Sequence, residues 1–309
     1  MSMEKAIKKR RPKKHFSVYE VVVLTILVLW VLTMLFLLYW GLVTTLKTQN
    51  EFRRNVFGLP SGAPWAWEWR NFVAIFNAFK VRVSYVRKGQ MVAEIVGLGG
   101  QVLNSIIYSA VSASLTTLVP LFVAYVTSRF FKFRISKFCY TLVIILIIMP
   151  VIGDAVPMLR IVRSLGLYDS IWGIGVMKFH WADFYYLVFF AAFKTIPKDA
   201  AEAAYIDGAS EITVMFKIYI PLILHTVIAV MLLKFMSSWS DYQYPLLWWP
   251  SRPTLAYGLW RLTQSSVNEL NTIPMRLAGA MILAVPIGIL FATVRRKVMG
   301  SLAVGVLIG

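Results

Sequence analysis

The sequence predicts an all-α integral membrane protein of about six transmembrane helices, and three observations predict it. Hydrophobic residues make up 59% of the 309 and charged residues only 15%, with a mean hydropathy of +0.68. A soluble domain carries more charge than this. Several apolar runs reach the roughly 20 residues that cross a bilayer, and such runs span as helices because lipid satisfies no backbone polar group. Basic residues cluster in short segments beside these runs, the pattern that marks the cytoplasmic side of a membrane protein.

Residues 1–18 are a basic N-terminal segment, with Lys5, Lys8, Lys9, Arg10, Arg11, Lys13 and Lys14. Arg129, Lys132, Arg134 and Lys137 lie between the second and third spans, and Arg295, Arg296 and Lys297 follow the last. The net charge of +18 is therefore read as membrane orientation, with lipid as the neighbour and no nucleic-acid partner. The first span, 19–42, is expected to stay in place: its apolar stretch is too long for a cleavable signal, and no small-residue cleavage site follows. Residues 43–101 form a long extracytoplasmic loop. Its basic side chains, Arg53, Arg54, Arg70, Lys80, Arg82, Arg87 and Lys88 among them, do not oppose the assignment, because long loops escape the charge rule. Trp65, Trp67 and Trp69 alternate there. Loop packing or an interfacial aromatic belt is the simpler reading; contact with a sugar or a docking protein is the other.

Residues 102–297 form a core with five further spans, expected at Val102–Val126, Phe138–Met158, Ile171–Ala192, Leu222–Ser240 and Met275–Val294. An even number of spans puts both termini on one side, the cytoplasmic side. Pro120, Pro150, Pro157 and Pro286 lie in or near spans, where proline bends helices. Residues 298–309 are a C-terminal tail. Cys139 is the one cysteine, so no intrachain disulfide forms, and no Cys/His cluster suggests a metal.

The stretch Phe193–Pro221, between two spans, has the local signals of a packed helix–turn–helix. Pro197 suits a first helical position, and Asp199 and Glu202 sit near the positive helix end. Ala200, Ala201, Ala203 and Ala204 offer a smooth face. Gly208 is a helix stop, and Ser210 can cap a second helix that ends before Pro221. This stretch resembles the EAA loop of the permease subunits of binding-protein-dependent ABC importers. Glu202-Ala203-Ala204, Asp207-Gly208-Ala209 and Ile220-Pro221 carry the likeness. Further matches are Asn104-Ser105, the run Gly166–Gly173, and Trp239–Leu246, which is similar to a pattern of carbohydrate-type permeases. The tail is similar to the glycine-rich end of the shorter maltose permease subunit, departing at Ile308. Ser240-Asp241 also replaces a common Asn-Glu.

The resemblance implies the type I importer permease fold in a prokaryotic cell membrane. It implies a coupling helix formed by Glu202, Ala203, Ala204, Asp207, Gly208 and Ala209. It implies four kinds of partner: a second permease, two ATPase subunits, an extracytoplasmic sugar-binding protein and a sugar. It implies a tail that reaches toward the ATPase, a disordered end being the alternative. No G-x-x-x-x-G-K-[ST] occurs, and His15, His180 and His225 are scattered, so no catalysis is expected. ATP–Mg would belong to the partner, and no cofactor or metal to this chain. Asp154, Lys178, His180, Asp183 and Lys234 are ionisable groups within spans, which usually face a bundle interior or a water-filled cavity. Snorkelling or a structural ion pair are the other readings. The family likeness adds Trp239, Asp241 and Tyr242 to the candidate path. Asp183 and Lys234 are expected at similar depths, about 5 Å apart at 1.5 Å per residue, and so within reach of one another. Two other functions remain open: a permease for another small solute such as glycerol phosphate, or a secondary transporter without an ATPase.

Overall fold

The computed structural model describes residues 17–305, leaving aside 88–89, 150–152, 154, 198 and 265–271. The chain opens with α1, Val18–Thr45, started by a capping box in which Ser17 Oγ accepts from Tyr19 N–H and Glu20 accepts from Ser17 N–H. Its apolar side chains are exposed along almost its whole length, and it leans on α15 at the edge of the bundle. The expected long loop is structured. It holds α2, Gln49–Arg54, and α3, Arg70–Ala78. Next comes an antiparallel hairpin of β1, Val81–Arg87, and β2, Gln90–Val96, with Val81 opposite Val96. The buried Lys47 donates to Asn55 O at 2.8 Å, and Asn71 donates to Thr45 O and Lys47 O, which stitches the loop to the end of α1. Val81 and Val83 bury one hairpin face against Tyr257.

The central element is α4, Leu98–Arg129. Ser105, Ser109, Ser112, Ala113, Thr116 and Thr117 make its buried face. Small residues let neighbouring backbones approach closely in a membrane bundle, and α8 and α12 pack there. The third expected span divides. α5 covers only Arg134–Ile148, and α6, Ala155–Ser164, is a separate helix. Met149 is already extended, as the residue ahead of a proline is. The fourth expected span divides too, into α7, Ile171–Lys178, and α8, Phe184–Thr195. Asp183 ends the break by accepting from Tyr185 N–H at 3.0 Å, an N-cap for α8.

The next loop forms α9, Asp199–Ile206, then α10, Glu211–Val214, a π-helical turn at Met215–Tyr219, and α11, Ile220–Leu222. Helix therefore continues through Pro221 instead of stopping before it. Pro221 occupies the first turn of α11, where a missing N–H is tolerated. A bend of 75° then leads into α12, Leu224–Trp239. The chain closes with α13, Gln243–Trp248, α14, Leu255–Thr263, and α15, Ile273–Gly305. By length and apolar character α1, α4 and α15 each suffice to cross a membrane, and the bent α10–α12 unit makes a fourth. α5 and the α7–α8 pair occupy the other two apolar segments.

Candidate functional site

Two places bring the candidate residues together. The first is the α9–α10 unit. Gly208 has φ of +79°, a left-handed conformation in which a Cβ is strained. That single residue turns the chain so that Ser210 can cap α10 through Thr213 N–H. Ala201 is 0% exposed and packs with Tyr125, Phe193, Val214 and Tyr219. The expected alanine face divides: Ala201 and Ala204 turn toward this cluster, whereas Ala203 faces outward.

Glu211 locks the unit from the other side. Its carboxylate accepts from Tyr205 at 2.7 Å and from Tyr125 at 3.2 Å, and lies 4.0 Å from Arg129. Burial and the bond donated to Glu211 hold the Tyr205 phenol above its ordinary pKa, so it stays a donor. The opposite surface is open. Glu202, Ala203, Asp207 and Gly208 are exposed, with Ile206 at 86% and Ile212 beside them. Ala209 is half-buried. The unit thus has a fixed back and a free front that mixes apolar and acidic side chains.

The second place is the break between α7 and α8. Lys234 of α12 donates to Asp183 Oδ2 at 2.5 Å, with the two side chains 21% and 11% exposed. His180 Nε2 lies 3.9 Å from the same oxygen, and Lys234 also sits over the Tyr185 ring at 4.6 Å. Lys178 lies 3.4 Å above the Tyr244 ring. Asp241 accepts from Tyr108 of α4 at 2.7 Å and from the N–H groups of Gln243 and Tyr244, capping α13. A cavity of about 600 Å³ opens beside these groups, with His180, Gln243, Tyr244, Trp248, Met158 and Met177 in its walls. It combines aromatic faces with hydrogen-bonding groups, the combination a polar organic solute needs.

The structure therefore gathers Lys178, His180, Asp183, Lys234 and Asp241. It places Trp239 and Tyr242 elsewhere. Trp239 is 3% exposed, donates to Leu283 O at 3.0 Å and packs with Ile75 and Leu255. Tyr242 stacks on Trp260 with ring centroids 5.7 Å apart, beside the hairpin. Asp154 lies outside the described residues. Tyr108, Tyr185, Gln243 and Tyr244 are members that sequence reasoning missed. Tyr244 and Gln243 lie in the Trp239–Leu246 motif and were within reach of it. Tyr108 meets Asp241 across 133 positions, and no local signal announces that. Among the described residues no group of three or more His, Cys, Asp or Glu could hold a metal ion.

A multi-pass helical bundle with a polar interior and a fixed, outward-facing loop defines a membrane transport component. The family model described as the binding-protein-dependent transport system inner membrane component matches residues 117–303. The chain belongs to that family. It is similar to the "Probable ABC transporter permease protein YurM" of Bacillus subtilis strain 168, at 24% identity over 96% of this chain and 91% of that one. It is also similar to the "Diacetylchitobiose uptake system permease protein NgcG" of Streptomyces coelicolor, at 23% identity over 91% and 86%. The "Arabinooligosaccharides transport system permease protein AraQ" of Bacillus subtilis strain 168 is 23% identical over 96% and 98%. Among solved structures, the fold matches a chain of a bacterial ABC transporter involved in the import of the acidic polysaccharide alginate. The TM-score is 0.68 at 20% identity, over 91% of this chain and 98% of that one.

Proposed function

We propose that this chain is one of two permease subunits of an ATP-driven carbohydrate importer. The open front of α9–α10 docks on a partner ATPase, which holds ATP–Mg, and both termini lie on that cytoplasmic side. An extracytoplasmic binding protein delivers the sugar to the opposite side, and the bundle passes it between the two permeases. The names of the relatives, among them uptake systems for diacetylchitobiose and arabinooligosaccharides, support a saccharide. The observation that carries the coupling role is the asymmetry of the α9–α10 unit. Ala201 and Glu211 fix its back to α4 and α8, while Ile206, Ile212 and Glu202 are left exposed. A rigid unit of this kind can turn a displacement of the partner into a movement of helices.

The 600 Å³ cavity has the character of the inner path, with Tyr244 and Trp248 as platforms for sugar rings and His180 and Gln243 for hydroxyls. The test is uncoupling. Gly208→Asp strains the left-handed turn, and Glu202→Lys reverses a charge on the front. Each variant should insert and assemble with the ATPase, yet lose most sugar uptake while ATP hydrolysis continues. Normal uptake by both at normal expression would remove the coupling role. Failure of the ATPase to co-purify with the parent chain would favour a secondary transporter instead.

A further inference from the structure

A cavity of about 330 Å³ lies at the α9–α10 end of the bundle, where α4 turns into α5. Arg129, Lys132, Lys137 and Lys194 stand around it, and none of the described residues lining it is acidic. Phe193 and Tyr219 form an apolar wall. Arg129 leans on Glu211 at 4.0 Å and Lys194 lies over the Phe131 ring at 4.6 Å, and with Lys132 and Lys137 beside them the hollow keeps a net positive field that favours an anion. A second hollow, of about 380 Å³ and almost wholly apolar, lies on the adjoining face of the same corner. It runs along α4 and α5 between Phe122, Val126, Ile135 and Cys139. The two hollows are neighbours in the chain, with Thr127 and Ser136 on the apolar one and Ser128 and Lys137 on the basic one. Phe133, Ile135 and Phe138 are exposed around the corner.

We propose that this corner binds one anionic phospholipid, its phosphate headgroup in the basic cavity and an acyl chain in the α4–α5 groove. Phosphate oxygens suit a guanidinium and ammonium groups together, and basic cavities between membrane helices take acidic headgroups. A free phosphate shares the headgroup chemistry, but it would leave the apolar groove without a purpose. Phe193 and Tyr219, which wall the cavity, also pack on Tyr125 under the α9–α10 unit at 5.5 and 5.4 Å between ring centroids. A bound lipid therefore braces the root of that unit. The binding assignment rests on the membrane position of the corner and not on the ATPase partner.

The full chain, purified into nanodiscs of phosphatidylcholine with a minority of phosphatidylglycerol, is scored for retained lipid by native mass spectrometry. Phosphatidylglycerol should be retained preferentially. Lys132→Gln/Lys137→Gln/Lys194→Gln should weaken its retention about a hundredfold, from the usual contribution of each basic residue at an anionic surface. The corresponding triple arginine variant should retain it. Arg134→Gln/Lys217→Gln, which removes two charges on the same side but outside the cavity, should behave as the parent. Equal retention by the triple glutamine variant, or equal loss in the control pair, overturns the site. Val126→Trp fills the groove and spares every charge, so it decides the matter if the triple variant fails to fold; unchanged retention there also overturns the proposal. If inorganic phosphate protects Lys194 from acylation in lipid-free detergent as well as phosphatidylglycerol does, the cavity is a free-phosphate site and the lipid assignment falls.

Discussion

Asp183 uses its two oxygens for two tasks. Oδ1 caps α8 at Tyr185 N–H, and Oδ2 receives Lys234. A lysine at mid-span costs about 2.5–3.5 kcal/mol on insertion scales, and breaking a buried pair costs about 3–5 kcal/mol because one charge is left alone. Asp183→Lys and Lys234→Asp should each impair assembly or uptake. The double exchange restores the pair but not the cap, since lysine has no acceptor for the Tyr185 N–H, and a lost cap costs about 1 kcal/mol. Recovery should therefore be partial in an uptake assay. A double variant as defective as the two singles added together would show the pair to be uncoupled. The approach of these two residues was legible from depth, because both spans run from the one Phe193–Pro221 stretch. The Tyr108–Asp241 bond was not, since it joins helices distant in sequence.

Asp169 shows how elements are tied together. It adopts φ of +56°, accepts from Ser251 N–H and Oγ, and donates its own N–H to Trp248 O. The turn before α7 is thereby pinned to the turn after α13, and so to the wall of the 600 Å³ cavity. Burial, opposed by the Ser251 bonds and by Arg252, raises the Asp169 carboxyl above its ordinary pKa. The folded state then holds more protons than the unfolded one in the window just above the ordinary carboxylate value. Stability falls as pH rises through that window. Asp169→Asn keeps the acceptor and tolerates the left-handed backbone, so it should flatten this slope in a thermal-melt series while leaving the fold intact. A parent slope of the opposite sign would refute the account. The α9–Gly208–Ser210 unit was legible because glycine and serine have single, local reasons to stand there. The breaks at 149 and 179–183 were not fully legible, because apolar composition runs through both and only a proline or a cap marks the boundary. The hairpin was missed although Val81, Val83 and Tyr85 alternate as a strand does, because residues 43–101 were read as one loop with no element inside it.

The whole molecule places α2, α3 and the hairpin at one end and the α9–α10 unit at the other. In a Cys139→Ser background, cysteines at Thr48 and Ser251 should react with an impermeant thiol reagent added outside intact cells, and one at Gly208 should react only after lysis. Labelling of Gly208→Cys from outside would invert the topology. The bundle between these ends is organised by α4. Near one end of that helix Tyr125 holds Glu211 of the α9–α10 unit, and further along Tyr108 holds Asp241, whose N–H partners Gln243 and Tyr244 line the cavity. The two tyrosines are about 25 Å apart at 1.5 Å of rise per residue. One helix thus carries a hydroxyl latch at each of two levels, with Pro120 between them. On the proposed function, a displacement at Glu211 would reach Asp241 along this one helix without crossing a loop, and Pro120 is the point where the helix can yield.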